Sequence, residues 1–214
     1  MKESLPFGHL VQSEQELREL LGYPGKLAGN KIIRHLDQHC RDFIAQSPFV
    51  VVSTADSDGN CDASPRGDAP GFVSVLDDQH LVIPERPGNR KMDSMLNLLS
   101  SPKIGLIFLI PGLGETLRVN GRGFIIRDAS ILESMSAHGK VPLLGIGVQV
   151  EECYIHCAKA LLRSKLWDPA SWLEKSELPT VSKILADHVK LENEVVTAED
   201  IDRSLEESYT QRLY

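Results

Sequence analysis

The sequence predicts a mainly β protein with flanking helices, an α+β chain whose strands form a closed or partly closed antiparallel barrel. Three observations lead there. From Ser47 the hydrophobic periodicity changes from helical spacing to short runs rich in β-branched residues. Tight-turn signals separate those runs, and several of them are apolar on both faces. Helical patterns then return on either side. Residues 1–46 therefore read as an N-terminal helical extension, 47–170 as the barrel and 171–214 as a C-terminal helical extension, together one compact domain.

Taken in order, Ser13-Glu14-Gln15-Glu16 forms a capping box before Leu17, Leu20 and Leu21 at helical spacing. Gly22-Tyr23-Pro24-Gly25 breaks that helix. A second helix is expected to carry Ile32, Ile33, Leu36, Cys40, Phe43 and Ile44 on one face, with Arg34 and Asp37 towards solvent. Phe49 to Thr54 reads as a strand, followed by the turn Asp56-Ser57-Asp58-Gly59-Asn60. Phe72 to Leu76 and His80 to Pro84 read as a second hairpin. A short helix follows from Lys91 to Leu99, then the apolar strand Ile104 to Ile110. Pro111-Gly112-Leu113-Gly114 turns the chain back into a strand from Thr116 to Ile126. Asp128 caps a helix ending near Gly139, and a strand runs from Gly147 to about Ile155. Thr197-Ala198-Glu199-Asp200 caps a last helix carrying Ile201, Leu205 and Tyr209.

Composition narrows the function. The chain has 23 basic and 30 acidic residues, a net charge of -7. That balance argues against nucleic-acid or anionic-membrane partners, which require clustered positive charge. No run of about 18 apolar residues suggests a transmembrane helix. Met1-Lys2-Glu3-Ser4-Leu5-Pro6 lacks the apolar core of an export signal. Four cysteines (Cys40, Cys61, Cys153 and Cys157) are too few for a disulfide framework, so a cytoplasmic location with reduced thiols is expected.

Four segments carry chemistry. In Ser64-Pro65-Arg66-Gly67-Asp68 a hydroxyl and a guanidinium could hold a phosphate dianion, or Arg66 could sit solvated in a surface loop. Asn89-Arg90-Lys91 precedes a helix, where two cations oppose the helix dipole unless an anion relieves them; an exposed basic turn is the plainer reading. Arg118, between Leu117 and Val119, faces away from them, towards a ligand or towards solvent. Cys153-x-x-His156-Cys157 lacks the second pair that a zinc site needs, so packing cysteines are expected and a metal is not. Arg163, Ser164 and Trp167 follow and place a cation, a hydroxyl and an aromatic surface together, which suits a planar anionic cofactor. Nucleophile-elbow, P-loop and dinucleotide-fold signatures are absent, and the remaining histidines stand apart from any serine or cysteine nucleophile.

In this order and spacing, the hairpin, Ser64 to Asp68, Asn89 to Lys91, Ser101-Pro102 and Leu117-Arg118-Val119-Asn120-Gly121 resemble the FMN-binding pyridoxamine 5′-phosphate oxidase superfamily. Asn120 stands where the family carries an acid, and the detail around Ser64 and His156 is similar to an uncharacterised bacterial branch. The resemblance implies a six-stranded antiparallel split barrel, and a homodimer with FMN at the subunit interface. It places Ser64 and Arg66 along the cofactor, Arg90 and Lys91 at its phosphate, and Asn89 among the cofactor-binding residues. Thr116 and Arg118 fall beside the flavin, and Arg163, Ser164 and Trp167 reach it from the second chain. The tail from Asp202 to Tyr209 lacks the arginine–histidine substrate motif of the true oxidases, so vitamin B6 oxidation is not implied. The function expected is that of a flavin-dependent oxidoreductase acting on an unidentified small substrate. The alternative is an FMN or haem carrier or sensor, with His156 a candidate axial ligand.

Overall fold

The structure is a computed structural model that describes residues 6–189, 191 and 195–214. The stretch Met1 to Leu5, read above for an export signal, lies outside them. Two compact units divide the chain, Met1–Ile32 and Ile33–Tyr214. The first holds α1 (Glu14–Leu21) and α2 (Lys26–Asn30). Ser13 accepts the Glu16 N–H at 3.1 Å at the start of α1, as the capping pattern predicts.

The second unit begins with an extended segment and α3 (Gln38–Gln46), followed by β1 (Phe49–Ala55), β2 (Cys61–Gly67), β3 (Ser74–Val75) and β4 (His80–Pro84). Next come α4 (Asp93–Ser100), β5 (Lys103–Leu109), β6 (Thr116–Ile126), α5 (Ala129–Ser134) and β7 (Gly145–His156). Helices α6 (Lys159–Ser164), α7 (Val181–His188) and α8 (Ala198–Gln211) complete it.

One antiparallel sheet joins the strands in the order β2-β1-β5-β6-β7-β4-β3. It has seven strands where six were expected. Of the strand read from Phe72 to Leu76, β3 keeps only Ser74 and Val75, paired with Val82 and Leu81. The hydrogen-bond ladder does not close, and β2 and β3 are its two ends. Side chains join β2 to the segment after β4 instead. Arg66 of β2 donates to Glu85, one residue beyond β4, and Arg86 Nε donates to Asp68 Oδ2 at 2.7 Å.

The single long helix expected before the sheet is divided. Ile33 is extended and exchanges backbone hydrogen bonds of 3.0 and 2.8 Å with Cys153 of β7. Asp37 then starts α3 afresh by accepting the Cys40 N–H at 2.9 Å. That hydrogen bond is the main reason the Asp37 carboxyl lies below the usual range. Helix α3 lays Cys40 and Ile44 onto the sheet beside Leu36, Val50, Val52, Phe108, Leu117 and Val119 in one core. Each such fully buried side chain contributes about 1.5–3 kcal/mol. Ser47 fixes the turn from α3 into β1, donating to the carbonyls of Leu109 (2.7 Å) and Phe49 (2.8 Å).

β7 carries a bulge opposite Asn120 and Gly121 of β6, with Glu151 as its extra residue. A Cβ at Gly121 would lie 2.0 Å from the Gln149 carbonyl oxygen, so only glycine allows that approach. Asp128 caps α5 as expected, but the helix ends at Ser134, before Gly139. Its Leu132 and Met135 cover Val82 on the outer face of β4.

Candidate active site

Strand alternation sorts the predicted residues onto two faces. Ser64 and Arg66 pair in register with Val52 and Val50, both buried, so they share the inner face of the sheet with Asp62, which pairs with Thr54. Thr116 and Arg118 alternate with the buried Leu117 and Val119, so they lie on the outer face.

The inner-face group converges with the segment between β4 and α4. Arg66 Nε donates to Ser64 Oγ at 3.1 Å while its Nη1 meets Glu85. Ser94, buried in the first turn of α4, donates to Asp62 Oδ2 at 2.5 Å, and Asn97 Nδ2 donates to Thr54 Oγ1 at 3.1 Å. These bonds hold α4 against β2 and β1. Asn89 accepts the Lys91 N–H at 3.0 Å, while Arg90 and Met92 adopt left-handed backbone (φ 62° and 59°). Non-glycine residues held there carry strain of the kind concentrated at ligand sites. Lys91 Nζ lies 2.9 Å from Asp93 Oδ2. That hydrogen bond and charge, with a smaller effect from Asp62, raise the Lys91 ammonium above the usual lysine range. The helix begins only at Asp93, so Arg90 and Lys91 precede it rather than form its first turn. Both are exposed, and Arg90 has no ion-pair partner among the described residues.

The outer-face group gathers at the start of β6. Trp167 Nε1 donates to the Leu113 carbonyl in the β5–β6 turn at 2.9 Å, which holds the indole against that turn. Arg118 stands beside Tyr154, with its Cζ 5.6 Å from the ring centroid. Its Nε is buried and has no hydrogen-bond partner. A buried charged donor without an acceptor is costly, so this nitrogen is suited to an anionic or carbonyl group supplied from outside the chain. Arg163 and Ser164 end α6 and are exposed, and the Ser164 hydroxyl donates back to Leu161 O at 3.1 Å.

Sequence reasoning missed Glu85, Asp62 and Ser94, which complete the inner group. Glu85 stands next to Arg86 in the sequence, but nothing local marks it as the partner of Arg66, 19 residues earlier. The cysteine–histidine segment separates by alternation. Cys153 is buried with its Sγ 3.2 Å from Cys40 Sγ, whereas His156 lies on the outer face beside Thr116 and Cys157 is exposed. The Cys40 contact and burial push the Cys153 thiol up. Among the described residues, no three His, Cys, Asp or Glu side chains are grouped to hold a metal ion.

The donors fit FMN in kind. Arg90 and Lys91 suit a phosphate dianion, and the unpartnered Arg118 Nε suits a flavin oxygen or ring nitrogen. Asp62 and Glu85 are the opposing charges in the inner group, and Glu85 occupies Arg66.

A seven-stranded antiparallel sheet with helices on its flanks defines a small, mainly β class of fold. The pyridoxamine 5′-phosphate oxidase family description matches residues 36–157, more than half of the chain, and the protein belongs to that family. No curated protein matches the chain. Among solved structures, HupZ of Group A Streptococcus is similar at 18% identity, with 56% of this chain and 99% of that chain covered and a TM-score of 0.46. General Stress Protein 26 of Bacillus anthracis is similar at 14% identity, with coverage of 55% and 94% and a TM-score of 0.42. An FMN-binding protein of Syntrophomonas wolfei is similar at 10% identity, with coverage of 54% and 86% and a TM-score of 0.40.

Proposed function

We propose that the protein is an FMN-binding flavoprotein of the oxidoreductase type, its two sites built between two copies of the chain. The observation that carries this reading is the Ser64–Arg66 pair on β2, the strand whose Asp62 accepts from Ser94 of α4 and acts on the charge of Lys91. Arg90 and Lys91 hold the cofactor phosphate, the first through a two-pronged guanidinium and the second as a point charge. Ser64 and Arg66 lie along the ribityl chain and ring. Arg118, with Thr116, Arg163, Ser164 and Trp167, forms the other half.

The two halves lie on opposite faces of one sheet, so a single chain cannot close them on one ligand. A second copy can, and the Nε of Arg118 then gains its acceptor. Bound FMN would supply hydride or single-electron transfer. The fixed cations stabilise negative charge on the reduced ring, and Trp167 excludes water from one side. No general acid or base among these residues is required.

The test is titration of purified protein with FMN and with riboflavin, followed by flavin absorbance. Arg90→Ala combined with Lys91→Ala weakens FMN at least a hundredfold and riboflavin less than threefold, because only FMN carries the phosphate. Protein that takes up neither flavin ends the proposal. A carrier without turnover differs in one respect: its bound FMN is not reduced by NADH, NADPH or another donor.

A further inference from the structure

We propose a second ligand site on the outer face of β6, β7 and β4, which takes a medium-chain amphiphile with an anionic head, of the fatty-carboxylate class. It does not rest on the flavin reading, since the groove lies at the opposite end of β6 from Thr116 and Arg118. A groove of about 360 Å³ lies there, between the sheet and α5. Strand register lays out its floor in rungs. One rung is polar and joins Arg122, Gln149 and His80 across the three strands. The next is apolar and joins Phe124, Gly147 and Val82. Ile126 and Ile131 of α5 form the far wall.

Gly147 makes the groove a groove. A side chain at that position would point out of the sheet into the space, 3.1 Å from Ile126 Cγ2. Its absence leaves Phe124 45% exposed in the middle of a strand, an apolar surface that neither α5 nor the β3–β4 turn covers.

The head chemistry follows from charge. Lys103 sits on the same polar rung but is paired with Glu151 at 3.3 Å. His80 is held by Asp77, with Nδ1 2.9 and 3.0 Å from the two carboxylate oxygens. Arg122 has no carboxylate partner among the described residues, and its guanidinium carbon lies 5.9 Å from the Phe124 ring centroid. Arg122 is thus a cation beside the groove, over the Phe124 ring that lines it and next to Gln149 on the polar rung, in a chain of net charge -7. A carboxylate head accepts from Arg122 and from the Gln149 amide, and the tail lies over Phe124, Gly147 and Val82. From Arg122 to Ile126 the strand advances four residues, roughly 13 Å, which sets a medium tail length.

Calorimetric titration of the full chain with dodecanoate and with dodecanol tests this. Dodecanoate binds at one site per chain, at least tenfold more tightly than dodecanol. Arg122→Gln, an exposed change, weakens dodecanoate tenfold or more and leaves dodecanol within twofold. Gly147→Val fills the floor and weakens both, with circular dichroism reporting whether the variant is folded. Absence of dodecanoate binding by the wild-type chain overturns the proposal, as does binding that Arg122→Gln leaves unchanged. A shift in oligomeric state on Arg122→Gln without a change in dodecanoate affinity also overturns it, since the face would then be a contact between copies.

Discussion

At the scale of single residues, Arg66 has two roles that a pair of substitutions separates. It joins the end strand β2 to the residue after β4 through Glu85, and it stands with Ser64 where the proposed cofactor would lie. The pair is largely shielded, at 17% and 27% side-chain exposure, so breaking it from either side leaves a poorly solvated charge and costs about 2 kcal/mol. That corresponds to a fall in Tm of roughly 5 °C for a chain of this size. The two halves should differ towards FMN. Arg66→Gln lowers stability and FMN affinity together, whereas Glu85→Gln lowers stability but leaves FMN affinity equal or tighter, because Arg66 is released. Equal loss of FMN in both variants would make Arg66 a structural residue alone. The sequence marked Arg66 through its turn-side setting of serine, proline and glycine. It did not mark Glu85 or the Asp62–Ser94 bond, because residues 19 or 32 positions apart meet only once the sheet has curled.

Among the elements, the strands were legible wherever β-branched runs ended at strong turns, as in β1, β5 and β6. Helices were less so. A continuous helical pattern from Ile32 to Ile44 concealed an extended stretch, because the backbone of Ile33 found a better partner in β7 and Asp37 offered a fresh cap. The strand from Phe72 was misjudged in length for a related reason: β3 is an end strand with a neighbour on one side only, and two residues of it pair. The bulge of β7 was not visible at all, although Gly121 opposite it now reads as its trace. Gly121→Ala tests that element. Its methyl group would meet the Gln149 carbonyl, which the paired strand cannot move aside, so the variant loses about 3 kcal/mol and roughly 10 °C in Tm. A change of less than 1 °C would show that the bulge can relax.

Over the whole molecule, the C-terminal segment is fastened where side chains join β2 to the segment after β4. Tyr214 donates its hydroxyl to Asp68 Oδ1 at 2.8 Å, beside the Arg86–Asp68 pair. Burial alone would raise the Asp68 carboxyl, but the Ala69 N–H, the Tyr214 hydroxyl and Arg86 together hold it below the usual range. The same bond, followed by burial, raises the Tyr214 phenol above the usual tyrosine range. A depressed carboxyl contributes stability above its unfolded value and loses it as pH falls through the folded one. A raised phenol contributes below its unfolded value and loses it as pH rises through the folded one. Tm should therefore fall below the ordinary aspartate range and again above the ordinary tyrosine range. Asp68→Asn flattens the acid limb, and Tyr214→Phe the alkaline limb. Limbs unchanged in both variants would show that the fastening carries no stability.

At the same scale stands the claim on which the function rests, that each flavin site takes one half from each of two copies. Subunit mixing tests it most directly. One variant carries Arg90→Ala with Lys91→Ala, and the other carries Arg118→Ala with Trp167→Ala. Each alone should bind little FMN. Unfolded and refolded together, they should form mixed dimers in which one site keeps all four residues, so that flavin absorbance returns to about one FMN per mixed dimer. Mixed dimers that stay as colourless as their parents would contradict the shared site.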